Sequence, residues 1–463
     1  MSKEGFSISL VNPHAPGLDV VQKIGVAITA LAFLSISIGA LGPANNDPSF
    51  YFWTGIVGSL VGLSIYMLRT FLTRPAGIQN NHVFSSSLTN RGVLGWAFGI
   101  FLTGFYILLY WGNDISHYLG GDDFWGGAAI VTMFSPLSQG IFGTNADEWF
   151  LYSFIYTVSV LIMGVRAIIK YRHSNYQIVR TSSIMFFQLG FAFLIPQFLK
   201  SMSQPEYYFS YFWPLDYDML WPDSVDGLLS GGTLGLWMLI ISAVMTFIAT
   251  PILTYFFGKR WYCSWVCGCG GLANTAGDPF RQLSDKSLNA WKIERWMIYS
   301  ILLFITLLTI LLWVNSYLVG GIFGDISHQL TKGYAFFIGQ AFAGVIGVGF
   351  YPLLGTRVWC RFGCPMAAYL GLLQKYFSRF RITTNGGQCI SCGNCSTYCE
   401  MGIDVQAYAQ RGENIVRASC VGCGICSTVC PRGVLNLENG PTHTDRENDN
   451  PITFGNDGVG LNV

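Results

Sequence analysis

From Cys389 the chain reads Cys389-Ile-Ser-Cys392-Gly-Asn-Cys395-Ser-Thr-Tyr-Cys399, and from Cys420 it reads Cys420-Val-Gly-Cys423-Gly-Ile-Cys426-Ser-Thr-Val-Cys430-Pro431. This is C-x2-C-x2-C-x3-C written twice. Three cysteines on a tight, glycine-containing loop can wrap three corners of an iron–sulfur cube. The loop then turns away, and in two-cluster proteins the fourth Cys of each run ligates the other cluster. Thiolates are soft ligands that suit such clusters. The spacing therefore predicts Cys389, Cys392, Cys395 and Cys430 around one [4Fe–4S] cluster, and Cys420, Cys423, Cys426 and Cys399 around a second. Gly393, Gly422 and Gly424 let the backbone come close to the sulfurs. Disulfide frameworks and zinc ribbons also use closely spaced cysteines, but neither predicts two copies of the full four-Cys run. Glu400 follows the first run, where Pro is usual and where Pro431 follows the second.

The rest of the chain is unlike a soluble carrier of such clusters. Charged residues are 11% of its 463 residues and apolar ones 51%, against a typical charged share of ~25%. Eight stretches reach the roughly 20 residues that a bilayer requires, at about 24–42, 51–73, 92–112, 149–169, 181–200, 231–257, 296–318 and 333–355. The expected fold is an all-α polytopic membrane domain of about eight helices with a small C-terminal α+β double-cluster, ferredoxin-like domain. By segment, 1–22 is a polar N-terminal lead without a clear cleavable signal, 23–356 the helical domain and 357–381 a basic membrane-edge link. Residues 382–440 form the cluster domain, with a strand expected at Val434–Leu437, and 441–463 a polar tail expected to be disordered. Gly58 and Gly62 are spaced either for close helix contact or as ordinary membrane glycines.

Lys and Arg placement sets the orientation. One set of connections carries Arg69, Arg74 and Arg91, then Lys170, Arg172 and Arg180, then Lys259, Arg260, Arg281, Lys286 and Lys292. The alternate set carries Asp114, Asp122, Asp123, Asp147 and Glu148, then Glu206, Asp216, Asp218, Asp223 and Asp226. The alternation predicts a multi-pass protein of the inner membrane with both termini, and every Cys, in the cytoplasm. All 13 cysteines fall between Cys263 and Cys430, a clustering that suits cofactor chemistry in a reducing compartment. The net charge of +1 gives no sign of a nucleic-acid partner. Span interiors lack ionisable residues, with Gln188, Gln197 and Gln340 the main polar candidates, which argues against a proton channel within this chain.

Two further Cys pairs sit where spans meet the cytoplasm: Arg260-Trp-Tyr-Cys263-Ser-Trp-Val-Cys267-Gly-Cys269 and Arg357-Val-Trp-Cys360-Arg-Phe-Gly-Cys364-Pro365. On a helix, residues i and i+4 share a face, so each pair is expected to present two thiols in one direction. Cys263, Cys267, Cys360 and Cys364 would then hold an additional Fe–S cluster or metal, work as a redox dithiol or copper site, or stay unligated. Cys269 is a spare thiol. Trp261, Trp265 and Trp359 read as interface anchors.

The stretch from Arg260 to Pro431 resembles the membrane polyferredoxins of the NapH, NosR and CcoG type. These combine a helical membrane domain, two Cys-x3-Cys-Pro motifs at cytoplasmic helix ends and a double-cluster ferredoxin domain. Cys360-x3-Cys364-Pro365 fits that motif, while Gly268 stands where the first copy would have Pro. The resemblance implies electron transfer, in some members between a quinol pool and another redox protein, and in others a part in maturing metalloenzymes. Three readings follow: an electron-transfer protein linking a membrane site, expected to be quinone-linked, to a redox partner; a maturation factor handling a metal such as copper; or a wiring subunit of a larger redox complex.

One tetrapeptide occurs twice, Asp114-Ile-Ser-His117 and Asp325-Ile-Ser-His328. Each is expected on the periplasmic side. His117 and His328 would accept quinol protons or bind a metal there, or would simply cap helices and solvate loops.

Overall fold

Proline and glycine decide where the apolar stretches become helices of spanning length. In the computed structural model, which describes residues 18–41, 48–72, 76–77, 88–121, 124–125, 129–204, 206–317, 324–441, 452–455 and 458–461, seven helices among the described residues are long and apolar enough to cross a membrane. They are Val20–Gly39, Phe50–Leu72, Val93–Tyr118, Glu148–Lys170, Asn175–Ser201, Gly232–Phe257 and Leu288–Tyr317. The expected eighth stretch, 333–355, begins inside a further helix, 324–346, that is long enough to span but less apolar than these seven. There the helix Gly324–Tyr334 widens into a π-helical stretch, Ala335–Ile346, and breaks into turns before a single helical turn at Tyr351–Leu354. The helix ends at Ile346, before Gly347 and Gly349, and Pro352 sits in the first turn of the short helix that follows.

Two spans carry π-helical turns for a related reason. Gly190–Leu194 precedes Pro196, and Met245–Ala249 precedes Pro251. Each proline lacks the N–H that the carbonyl four residues earlier would take, and a widened turn absorbs the mismatch. The first two helices pack through small residues. A Cβ on Gly62 would lie 2.7 Å from the Gly25 carbonyl oxygen, and one on Gly58 2.9 Å from the Ala32 Cβ, so both glycines serve close helix contact.

The C-terminal lobe is tied by a two-stranded antiparallel sheet. Strand Arg381–Thr384 enters before the first Cys run, and strand Leu435–Glu438 leaves after the second. Arg381 pairs with Glu438 and Thr384 with Leu435, so the ladder closes both runs into one unit. A short helix follows each run's loop, Asn394–Thr397 and Ile425–Thr428, and the helix Val405–Arg411 lies between the runs. The lobe shares a continuous apolar core with the bundle, running from Tyr262, Ile298, Ala367 and Leu370 through Phe380 and Ile382 to Val421 and Val434.

Bundle side chains also grip the second run. Tyr176 Oη donates to the Gly422 carbonyl at 2.7 Å, and Gln177 and Arg180 both donate to that of Cys423 at 3.0 Å. Ser264 reaches Val421 O at 2.6 Å, and Gln374 reaches Cys420 O at 2.8 Å. In the tail, Ile452–Gly455 pairs with Gly458–Leu461, while 442–451 lie outside the described residues. Residues 1–17, Arg74, Asp122 and Asp123 also lie outside them.

Candidate iron–sulfur site

Gly393 and Gly424 start the two short helices of the lobe in the left-handed region, at φ +76° and +73°. A side chain there would be strained, so glycine lets each loop fold tightly around its thiols. Two hollows result. One is lined by Cys389, Cys392, Cys395 and Cys430, and the other by Cys399, Cys420, Cys423 and Cys426. Each thus draws three cysteines from one run and the last from the other. The first hollow lies at the surface, where Cys392 is exposed, while Cys420 and Cys426 in the second are buried.

Burial pushes the thiols of Cys395 and Cys420 up to about 12 and that of Cys423 to about 11. Bare thiolates are disfavoured there, and bound iron would supply the missing positive charge. Four thiols spread round a hollow suit a multi-iron cube better than a lone ion, so the donor set fits the cluster.

The second set of cysteines lies in the apolar core that joins the bundle to the lobe. Cys263 ends the helical turn Arg260–Cys263, and Cys267 caps the helix Gly268–Asn274. Cys360 lies in the π-helical turn Trp359–Gly363, and Cys364 caps the helix Pro365–Phe377. The expectation of two thiols on one helix face is therefore corrected: each pair straddles a helix junction. Pro365 forces Cys364 into extended backbone, φ −79° and ψ 112°, and Cys267 adopts nearly the same, φ −60° and ψ 128°, although Gly268 follows it. The geometry of the two arms agrees despite the missing proline.

Burial pushes the Cys263 thiol up to about 12, with Cys267 and Cys360 near enough to raise it and Lys259 and Arg357 near enough to lower it. Cys364 is raised by burial and then by Cys360, Cys263 and Cys267. The four thiols are thus neighbours. Cys269 lies beside Cys267, and their contact holds the Cys267 thiol below its ordinary value.

Arg357 joins this group to the lobe. Its guanidinium donates to the Cys360 Sγ at 3.4 Å, to the Cys263 carbonyl at 3.2 Å and to a Glu400 oxygen at 3.0 Å. Glu400, Arg357 and Arg281 are fully buried, and Arg281 pairs with both Glu400 and Asp278. Asp278 also takes Lys170 at 2.6 Å and the Tyr171 hydroxyl at 2.8 Å. Burial alone would raise the Asp278 carboxyl; Lys170, Arg281 and Arg166 hold it far below its ordinary value.

A cavity of ≈ 560 Å³ opens from the thiol group into the bundle. It has Cys267 and Cys269 in its wall, with Tyr152, Tyr156, Gln188 and Phe191, and also Lys200, Glu206 and Tyr208. His117 and His328 are exposed on their helices and line none of these hollows. Sequence reasoning missed Arg281, Asp278 and the tyrosines of the cavity. The signal for the first two was charge in a charge-poor chain, beside the Cys-x3-Cys arm.

Two families match the chain. One, described as a 4Fe–4S dicluster domain, matches residues 388–435, and the other, a 4Fe–4S binding domain, matches 236–287 and 337–384, the two Cys-x3-Cys arms. The Escherichia coli (strain K12) protein YccM, whose name describes electron transport, is 26% identical over 179 residues, 36% of this chain and 49% of that protein. The ferredoxin-type methylamine utilization protein MauN of Methylobacillus flagellatus is 27% identical over 169 residues, 35% of this chain and 56% of its own length. The MauN of Paracoccus denitrificans is 26% identical over 204 residues, 42% and 62% of the two chains. The matches thus span only 49% to 62% of these relatives' lengths. No solved structure matches. The chain thus carries 4Fe–4S domains at three stretches beside seven apolar helices long enough to cross a membrane, and it is similar to proteins named for electron transport and as ferredoxin-type.

Proposed function

We propose that the chain passes electrons between a quinone-type carrier in the aromatic cavity and a redox partner at the surface-facing cluster. Cys263, Cys267, Cys360 and Cys364 would hold an additional cluster, and Cys399, Cys420, Cys423 and Cys426 the next one along the route. The route ends at the cluster of Cys389, Cys392, Cys395 and Cys430. The observation that carries this reading is the order of the parts. The cavity reaches Cys267, Arg357 ties Cys360 to Glu400 beside Cys399, and the last hollow exposes Cys392.

Each cluster supplies one-electron chemistry, and the chain's own residues set position and charge. Tyr152, Tyr156 and Phe191 offer flat apolar walls to a ring, and Gln188 offers a hydrogen-bonding amide. Oxidising a quinol releases two electrons and two protons. Glu206, which accepts the Tyr208 hydroxyl at 3.4 Å in the cavity wall, would take the protons one at a time and release each to solvent, away from the thiols. The cations Arg166, Lys170, Arg180 and Arg281 gather around the iron–sulfur lobe, which supports a cytoplasmic lobe by the positive-inside rule, and with 324–346 as an eighth crossing both termini lie inside. His117 and His328 would then serve the opposite face as solvated helix ends.

The test is anaerobic reduction of cluster-loaded protein, followed as bleaching of the broad visible absorption. A quinol should bleach the wild type. Ser153→Phe, which narrows the cavity, should slow that by about tenfold, an effect of roughly 1.4 kcal/mol, and leave dithionite reduction unchanged. Cys364→Ser should keep the lobe's clusters yet slow quinol-driven bleaching about ten- to a hundredfold, as loss of a metal-site contact does. Quinol bleaching at wild-type rate in both variants would refute the route. Copper bound at Cys263 and Cys360, with indifference to quinol, would point to a maturation factor instead.

A further inference from the structure

A second cavity, ≈ 400 Å³, reaches Cys360 from another side. It opens among three elements: the start of the helix Leu288–Tyr317, the helix Pro365–Phe377 and the segment 416–419 of the lobe. Four cations line it, Lys259, Arg295, Lys375 and Arg417. Its one carboxylate, Glu294, is engaged by Arg361 at 3.1 Å. Among the described residues no carboxylate forms an ion pair with any of the four cations.

Aromatic rings fix the cations instead. The guanidiniums of Arg295 and Arg417 stand 5.0 and 5.1 Å from the Trp291 ring, and Lys375 Nζ stands 5.1 Å from that of Tyr376. Lys259 is 1% exposed and donates to the Ala418 carbonyl at 3.2 Å. Orientation in the membrane explains exposed cations at helix ends, such as Arg295 and Lys375. It does not explain a buried ammonium, nor an arginine brought to the same cavity from the lobe. Four like charges in one recess repel, and Lys259 is buried with only the Ala418 carbonyl and nearby thiols to offset its charge. An anion in the recess relieves both.

We propose that this cavity is a seat for a phosphate group, supplied by an anionic phospholipid or by a soluble phosphorylated ligand. Guanidinium forks match phosphate oxygens in pairs, and preset side chains lose little freedom on binding. The volume falls within the roughly 300–1,000 Å³ of small-ligand sites and is far larger than one ion needs. Trp296, Tyr376 and Phe377, all exposed nearby, suit the membrane interface and place the cavity where headgroups lie. A phosphate there would touch the last span, the Cys-x3-Cys arm and the lobe at once, and so clamp the lobe to the bundle beside Cys360.

The test uses the full chain with its clusters loaded, in nanodiscs, reading the thermal midpoint of the visible absorption and the lipid retained in native mass spectrometry. One arm compares phosphatidylcholine discs with discs containing phosphatidylglycerol. The other titrates inorganic pyrophosphate into phosphatidylcholine discs. Stabilisation by either, weakened about tenfold or more in Arg295→Gln/Arg417→Gln, supports the seat, and the responding arm names the source of the phosphate. Should the double variant load no clusters, Lys375→Gln, at an exposed position, is read in its place and should weaken the same response. Equal responses of wild type and variant in both arms, or no response of the wild type, would overturn the proposal.

Discussion

Glu400→Ala is expected to cost the lobe its seat on the bundle and, with it, the cluster of the inner hollow. The Glu400 side chain has no exposed surface, and both of its guanidinium partners, Arg281 and Arg357, are equally buried. Removing the carboxylate leaves Arg357 without an acidic partner and Arg281 with Asp278 alone. Stranding a buried charge in this way costs about 3–5 kcal/mol, against about 5–15 kcal/mol for a whole domain. Cys399 is the next residue, so a displaced Glu400 loop moves a thiol of the inner hollow. Iron content and urea resistance of the visible absorption should both fall. Glu400→Pro, the residue usual after such a run, should do no better, because it supplies no charge for the two guanidiniums. The double variant Arg281→Met/Glu400→Met removes one charge of each sign and should be milder than Glu400→Ala. Wild-type iron and urea resistance in Glu400→Ala would show that the network does not hold the lobe.

The same network fixes a pH dependence. Burial pushes the Glu400 carboxyl up, but Arg281 and Arg357 outweigh it and hold the carboxyl below its ordinary value. A carboxylate with a depressed folded pKa contributes its full stability above the unfolded value of about 4.3 and loses it as pH falls through the folded value. Its contribution to urea resistance should therefore be the same at pH 5 and pH 7. A contribution already lost at pH 5 would mean that the ion pairs do not form.

The legible parts of this chain were those written in local spacing. Two C-x2-C-x2-C-x3-C runs name their thiols without a structure, and the strand expected at Val434–Leu437 lies at Leu435–Glu438. Seven of the eight apolar stretches are helices of spanning length, because uninterrupted apolar length is itself a local property. What failed depended on interruptions and on distant partners. The expected stretch 333–355 has the wrong bounds: its helix starts at Gly324 and ends at Ile346, where Gly347 and Gly349 turn the chain. The Cys-x3-Cys spacing fits one helix face, yet Pro365 and the turn at Gly268 make each second cysteine a cap. Glu400 was visible as a departure from the ferredoxin pattern. Its partners Arg281 and Arg357 precede it in the helical part of the chain, and no spacing rule links residues so far apart. The cavity tyrosines read as ordinary membrane aromatics until folding set them beside Cys267.

Cys430→Ala and Cys399→Ala should remove opposite clusters, each from the hollow of the other run. Cys430 belongs to the second run but lines the hollow of Cys389, Cys392 and Cys395. Cys399 belongs to the first but lines that of Cys420, Cys423 and Cys426. Under the proposed crossed ligation each alanine variant should lose about four iron atoms, one cluster's worth, and the survivors should differ in access. Cys430→Ala keeps the inner cluster, walled by buried Cys420 and Cys426, which should resist ferricyanide. Cys399→Ala keeps the outer cluster beside exposed Cys392, which ferricyanide should destroy quickly. The inner cluster should also be the harder one to do without. Tyr176, Gln177, Arg180 and Gln374 hold the carbonyls around it, so its loss loosens the bundle as well as the lobe. Cys399→Ala should therefore lower the thermal midpoint more than Cys430→Ala. If instead Cys430→Ala left a ferricyanide-sensitive cluster and Cys399→Ala a resistant one, each run would hold its own cube, and the electron route drawn through the inner hollow would have to be redrawn.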